Sequence, residues 1–234
     1  MGGHRRANDV NLQHALQLRE YEAIADRIAA DAPGRLLDWG CGFGYMTALM
    51  RERGLDVRAF DFRPEVDASG PRALTKYPDI EVYVERDDPV GLPYDDDAFD
   101  AVLSCGVLEH VSDPDGSLEE LKRVLRPGGA FYVYKLPNRW SYLEAIARAG
   151  GLYYHGAWEH DRVYDVASAA TLLGRHGFAV HELRRANMLP LTVGGQAVGR
   201  AAGPLWRLNT GLARVPGLGG LATNVELIAT APAA

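Results

Sequence analysis

The chain has 234 residues, 47% of them apolar and 24% charged, with a net charge of −6 and a pI near 5.6. This is the balance of a soluble globular protein with one sizeable core, and its excess of acid argues against nucleic acid as the main partner, because phosphate binding needs a concentrated basic surface. No segment reaches the length of a membrane-spanning helix, and the first residues lack the apolar core of a secretion signal, so a cytoplasmic location is expected.

Taken in chain order, Leu12, Ala15, Leu16, Tyr21, Ile24, Ala25 and Ile28 recur near the helical period, and the pattern stops at Pro33-Gly34. A leading helix over 10–31 is predicted. Next comes Leu36-Leu37-Asp38-Trp39-Gly40-Cys41-Gly42-Phe43-Gly44, an apolar run that ends in an acid and three alternating glycines. It reads as a buried strand entering a tight turn, with a helix from Tyr45 to Arg53 behind it. Glycine lets backbone amides approach a ligand and lets φ turn positive, and the start of the following helix favours an anion. A second strand, Val57-Arg58-Ala59-Phe60-Asp61, ends in an acid 23 positions after Asp38. In a βαβ unit that acid lies beside the glycine turn, where a carboxylate can accept both hydrogen bonds of a ribose diol. A dinucleotide fingerprint would place its third glycine at 45, which is Tyr45, and the chain has no Gly-Lys-Ser or Gly-Lys-Thr phosphate loop. The pattern therefore points to an adenosine-type cofactor without a pyrophosphate.

Strands are predicted at 35–39, 57–61, 80–84, 99–104, 129–136, 178–184 and 224–231, with helical patterns between most of them. Over 116–126, Leu118, Leu121, Val124 and Leu125 line one helical face, and Pro127-Gly128-Gly129 ends it. Glu119 with Arg123 is an exposed i,i+4 pair on the other face, worth only about 0.2–0.5 kcal/mol. Residues 187–222 separate the last two strands. This stretch is rich in Leu, Ala, Gly and Val, and Arg200, Arg207 and Arg214 recur at seven-residue intervals. Gly203-Pro204 interrupts that face, so two short helices are expected, acting as a lid over an apolar substrate. A dimer contact and a basic membrane contact are weighed against the lid and not favoured.

With these residues in view, the chain resembles the class I S-adenosylmethionine-dependent methyltransferases. Asp38 to Gly44 matches their acid-x-Gly-x-Gly-x-Gly motif at every defined position, and the resemblance continues through Asp61, Asp88 with Leu92-Pro93-Tyr94, Phe99-Asp100, Val107-Leu108-Glu109-His110-Val111 and Leu121 to Gly129. It covers roughly residues 30–137 and is nearest in layout to the O-methyltransferases of quinone biosynthesis. It implies an α/β, Rossmann-like, doubly wound, seven-stranded and mostly parallel sheet with an antiparallel last strand and a helical insertion before it. The chain is then a single domain, 1–234, with a cofactor-binding core at 35–137.

The resemblance also implies S-adenosyl-L-methionine as cofactor. Asp61 would hold the ribose with Phe62 next to it, Asp88 would sit near the adenine amino group, and Gly40, Cys41, Gly42 and Gly44 would surround the methionine part. Cys105 and Gly106 would offer backbone atoms to the methionine amine, and Asp38 would orient the turn. On the acceptor side the candidates are His160 supported by Asp161, with His110 beside the methyl-transfer face. No metal is expected, since the gap between His155 and His160 matches no strong ligand pattern. Cys41 and Cys105 are expected to be reduced and too few for a zinc or iron–sulfur site. The implied activity is methyl transfer to a small molecule, with a hydroxyl of a phenolic, polyketide-like or lipid-linked compound favoured and nitrogen or carbon acceptors left open. The alternative is a noncatalytic cofactor-binding sensor or scaffold, and either would be a monomer or homodimer.

Overall fold

The computed structural model describes residues 14–62, 82–85, 90–152, 161–192 and 199–233. Six helices and seven strands follow one another as α1 (Ala15–Asp31), β1 (Arg35–Trp39), α2 (Tyr45–Arg51), β2 (Asp56–Phe62), β3 (Val82–Glu85), β4 (Phe99–Cys105), α3 (Pro114–Val124), β5 (Leu125–Pro137), α4 (Tyr142–Ala149), α5 (Val166–Arg175), β6 (Ala179–Ala186), α6 (Ala202–Ala213) and β7 (Asn224–Thr230). The strands form one sheet in the order β3-β2-β1-β4-β5-β7-β6. Neighbours are parallel from β3 to β5, and β7 runs antiparallel to both β5 and β6. The seven-stranded, mostly parallel sheet expected from the sequence is therefore present.

Strand periodicity sorts the core into two layers, because successive side chains point to opposite faces. Leu37, Val102, Phe131 and Val133 share a cluster with Leu118 and Leu121 of α3 and Leu172 and Leu173 of α5. Their neighbours Leu36, Leu103, Tyr132 and Tyr134 face the other way, onto Ile24 and Ile28 of α1 and Met46, Leu49 and Met50 of α2. Both faces are apolar because helices cover both, as a parallel sheet requires. The order reverses between β1 and β4, and a crevice opens beyond their carboxyl ends.

Two local expectations change. The helix read at 116–126 is α3, which starts at Pro114 under the Asp113 cap and stops at Val124, so that Leu125 already lies in β5. Leu125 is instead paired with Phe99 of β4. The Glu119–Arg123 pair also gives way. Arg123 donates to Glu120, Asp96 and the carbonyls of Tyr94 and Leu92, pinning the loop before β4. Those neutral and charged acceptors satisfy its guanidinium fork better than one exposed carboxylate.

In the insertion, Gly203-Pro204 does not break a helix but lies in the first turn of α6, where proline's missing N–H has no partner to lose. A short 3-10 turn, Leu218–Leu221, follows. Helix α6 lies against α1. A buried polar chain ties the two: Lys135 Nζ donates to Glu20 at 2.8 Å, Asn187 Nδ2 donates to the other Glu20 oxygen, and Asn209 Nδ2 donates to Asn187 at 2.9 Å. Asn209 Oδ1 in turn accepts from Met188 N and Leu189 N, both at 2.7 Å.

Glu119 turns to His176, at the end of α5, whose Nδ1 is 2.6 Å from Glu119 Oε1 and whose Nε2 is 2.8 Å from Asp115 Oδ1. Burial pulls the imidazole pKa down, but the two carboxylates more than offset it and the net shift is upward. A histidine held charged in the folded state stabilises fully below its unfolded pKa of 6.5 and loses that contribution as pH rises through the folded value. Urea denaturation of wild type and His176→Gln across pH should show a deficit in the variant that is largest below pH ~6.5 and shrinks above it. A deficit independent of pH would exclude the ionic clasp.

Candidate functional site

The crevice is built around the turn that joins β1 to α2. Gly40 N and Cys41 N both donate to the Phe60 carbonyl at 2.9 Å, and Gly44 N closes back on Cys41 O. Gly40, Gly42 and Gly44 have φ of +71°, +53° and +81°, values at which a side chain is strained. Gly40 is further constrained, since a Cβ there would lie 2.5 Å from Val107 Cγ2. A Cβ on Gly42 would meet nothing within 4 Å, so this glycine borders open space. The resulting cleft, about 190 Å³, is lined by Asp38, Gly40, Cys41, Gly42 and Phe43 of the turn, Tyr45 and Met46 of α2, Cys105 and Gly106 after β4, and Tyr21 of α1.

Asp61 stands at the end of β2, and its Oδ2 accepts from Gly42 N–H at 2.6 Å. The acid expected to meet a ribose is thus also a fastener of the turn. Asp38 is buried and accepts from Thr47 Oγ1 at 2.5 Å. Burial raises its pKa to about 7; the Thr47 hydrogen bond opposes the rise, and the nearby charge of Asp61 adds to it. Cys41 and Cys105 are free thiols, both pushed well above their ordinary pKa by burial, and so unreactive as nucleophiles. The side chain of Phe62, Asp88, His155 and His160 lie outside the described residues.

On the acceptor side, Asp161 Oδ1 is 2.9 Å from His110 Nδ1. Asp161 was paired with His160 in the sequence; among the described residues its histidine is His110. The imidazole is 46% exposed and its carboxylate partner almost covered. Arg162 extends the same contact, its backbone N donating to Glu109 O.

Glu109 was not singled out by the sequence. It is 2% exposed, its Oε2 has no hydrogen-bond partner among the described residues, and burial raises its pKa from 4.5 to about 7. Its Oε1 would be 3.6 Å from a Cβ on Gly106, a residue that lines the cleft, and is 3.9 Å from His110 Nε2. A buried carboxyl with one unsatisfied oxygen is costly and needs an account. The signal for it was an acid inside the apolar run Val107-Leu108-Glu109-His110-Val111, which periodicity alone reads as an interruption. Among the described residues no cluster of three His, Cys, Asp or Glu side chains could hold a metal.

Residues 37–133 match a family described as a methyltransferase domain. A demethylmenaquinone methyltransferase of Thermus thermophilus is 34% identical over 54% of this chain and 58% of its own length. A ubiquinone biosynthesis O-methyltransferase of Xanthomonas campestris is 32% identical over 60% and 58%, and methyltransferase GfsG of Streptomyces halstedii is 33% identical over 56% and 48%. The chain therefore spans about half the length of these curated relatives. Among solved structures, an S-adenosylmethionine-dependent methyltransferase from Mesorhizobium loti shares the fold with a TM-score of 0.52 at 20% identity, over 90% of this chain and 99% of that one. The cyclase SpnF does so with a TM-score of 0.55 at 22% identity, over 91% and 82%. The glycine turn, the acid closing β2 and these similarities agree on one stretch: residues 37–133 are similar to a methyltransferase domain.

Proposed function

We propose that the chain transfers the methyl group of S-adenosylmethionine to a small-molecule acceptor, a hydroxyl of a phenolic, polyketide-like or lipid-linked compound. The observation that carries this reading is Asp61 fastened to the Gly42 amide at the edge of a cleft where Gly42 leaves the backbone bare. The names of the relatives, which include methyltransferases acting in quinone biosynthesis, support the acceptor class.

The residues present fit the cofactor. Gly40, Gly42 and Gly44 would let the backbone close around its methionine part, and Asp61, at the end of β2, would hold the ribose. Bound there, the cofactor supplies an electrophilic methyl group on a sulfonium. The chain's own work is to align the acceptor and accept its proton. A carboxylate at the sulfonium would hold the ground state more strongly than the transition state, in which that charge is disappearing. Asp38 suits this requirement, because burial raises its pKa to about 7 against the opposing hydrogen bond from Thr47 and so weakens it as an anion in the cleft.

Glu109 is the group we assign to the acceptor proton, with the His110–Asp161 pair at the rim orienting the acceptor. A carboxyl whose pKa is about 7 can accept a proton near neutrality, and Gly106 leaves the path between it and the cleft without a side chain. His160 stays a candidate base on sequence alone.

Calorimetric titration with S-adenosylmethionine, its demethylated product and NAD in parallel tests the cofactor. Micromolar binding of the first two without NAD is expected, and binding of NAD alone would overturn the function. Asp61→Ala should weaken cofactor binding by roughly one to two powers of ten, the equivalent of a lost charged hydrogen bond of about 1.5–3 kcal/mol. An unchanged dissociation constant would remove Asp61 from the site.

Glu109→Gln keeps the shape and removes the base. It should lower kcat by about 10²–10⁴-fold with cofactor affinity retained, and abolish an activity rise with pH centred near 7. An unaltered pH profile would return Glu109 to a packing role.

A further inference from the structure

The large apolar side chains that stand exposed among the described residues are not scattered. Trp140, Ile146 and Leu152 lie in one short stretch around α4, and Leu208, Val215, Leu218 and Leu221 lie in α6, the link after it and the 3-10 turn, each between 38% and 65% exposed. The two stretches adjoin. Tyr142, at the start of α4, packs with Met188, Ala213 and Ala222 and donates its hydroxyl to Met188 O at 2.6 Å. Asn138 Nδ2 donates to the carbonyls of Gly220 and Ala222 at 2.9 and 2.7 Å.

Charge follows the same boundary. Between Arg185 and Glu226 the sequence has no acidic residue, yet it has Arg200, Arg207 and Arg214, in a chain whose net charge is −6. On α6 the residues Pro204, Arg207, Leu208, Gly211 and Arg214 are exposed on one face, while Ala202, Asn209 and Ala213 are buried on the other. Helix α4 has no buried residue and adds Arg148, with Glu144 as its one acid. An apolar strip carrying arginine, on an otherwise acidic protein, has the composition of a surface that lies in a membrane interface.

Its place in the fold gives the strip a use. Strands β1 and β4 end at Trp39 and Cys105, at the cleft, and β5 ends at the same edge of the sheet with Pro137 in register with Asn224 of β7. Residues 138–152 and 187–223 leave from that edge. An acceptor dissolved in a bilayer would then meet the protein on the side where the cleft opens.

We propose that the face formed by α4, α6 and the 3-10 turn docks on a bilayer bearing anionic headgroups. A second copy of this chain is the competing occupant, but a two-fold contact would set like patch against like and oppose Arg200, Arg207 and Arg214 to their own copies. The proposal extends the methyltransferase reading by delivering a lipid-soluble acceptor, although the docking itself does not depend on methyl transfer.

Flotation of the full chain with vesicles of phosphatidylcholine, alone or with about a quarter phosphatidylglycerol, reads the contact directly. Partition onto the anionic vesicles at low salt is expected, with little on phosphatidylcholine and a loss as salt is raised. Joint reversal of Arg200→Glu, Arg207→Glu and Arg214→Glu should reduce partition by at least about tenfold. Leu208→Ser with Leu218→Ser should reduce it while sparing the salt dependence. The salt series on wild type keeps the test decisive if the reversed variant fails to fold.

No partition onto anionic vesicles at low salt, or partition unchanged by charge reversal and by salt, would overturn the proposal. So would a concentration-dependent dimer that forms through this face and excludes vesicles. Cofactor titration of the same variants should be unchanged, so a failure of vesicle binding and a failure of the cofactor reading are separable.

Discussion

One backbone carbonyl organises the site. The Phe60 oxygen accepts the amides of both Gly40 and Cys41, and the next residue, Asp61, takes the amide of Gly42. Three consecutive N–H groups of a turn that would otherwise be left in a crevice are satisfied by the end of the neighbouring strand. That fixes the spacing of β1 and β2, holds three glycines at positive φ and sets the direction in which α2 departs. Every other cleft residue is placed relative to this knot.

The acids around the cleft differ in kind because their surroundings differ. Asp61 is anchored to the Gly42 amide, whereas Asp38 and Glu109 are buried and held up near neutrality. Asp38 has a hydroxyl partner in Thr47, while one Glu109 oxygen has none. A fold selected for stability alone would remove that cost with an apolar residue. Keeping a buried carboxyl with one unsatisfied oxygen behind Gly106 is the sort of local inconsistency that functional sites carry.

The insertion is held by polar contacts as much as by packing. Glu20 of α1 is shared by Lys135 and Asn187, and Asn209 of α6 completes the chain. Lys135 adopts φ of +67° and its ammonium lies 4.9 Å from the ring centre of Tyr21, a residue of the cleft wall. A buried ion pair contributes little net stability against an apolar equivalent, but removing one partner costs about 3–5 kcal/mol, so such contacts enforce a single arrangement. Among its described residues the insertion packs α6 on α1, the helix whose Tyr21 lines the cleft.

Much of this was legible in one dimension. Alternating apolar runs, the acid-glycine turn and an acid 23 residues on are local patterns, each dictated by backbone geometry over a few residues, and they specified the strands, the crevice and the turn that sets Gly40 and Gly42 beside Asp61. Asp88 and His160 rest on sequence alone. What sequence could not supply were pairings between distant segments: Arg123 with Asp96 and not Glu119, Asp161 with His110, and Glu20 with both Lys135 and Asn187. Burial of Glu109 and exposure of Leu208 and Leu218 are likewise properties of what the folded chain lays over them. The sequence by itself determined the order of elements and the cofactor turn, because those follow from short-range sterics and periodicity. Only the tertiary structure decided which charges meet, which acid is buried and which apolar face stays open, because these depend on long-range packing that no local pattern encodes.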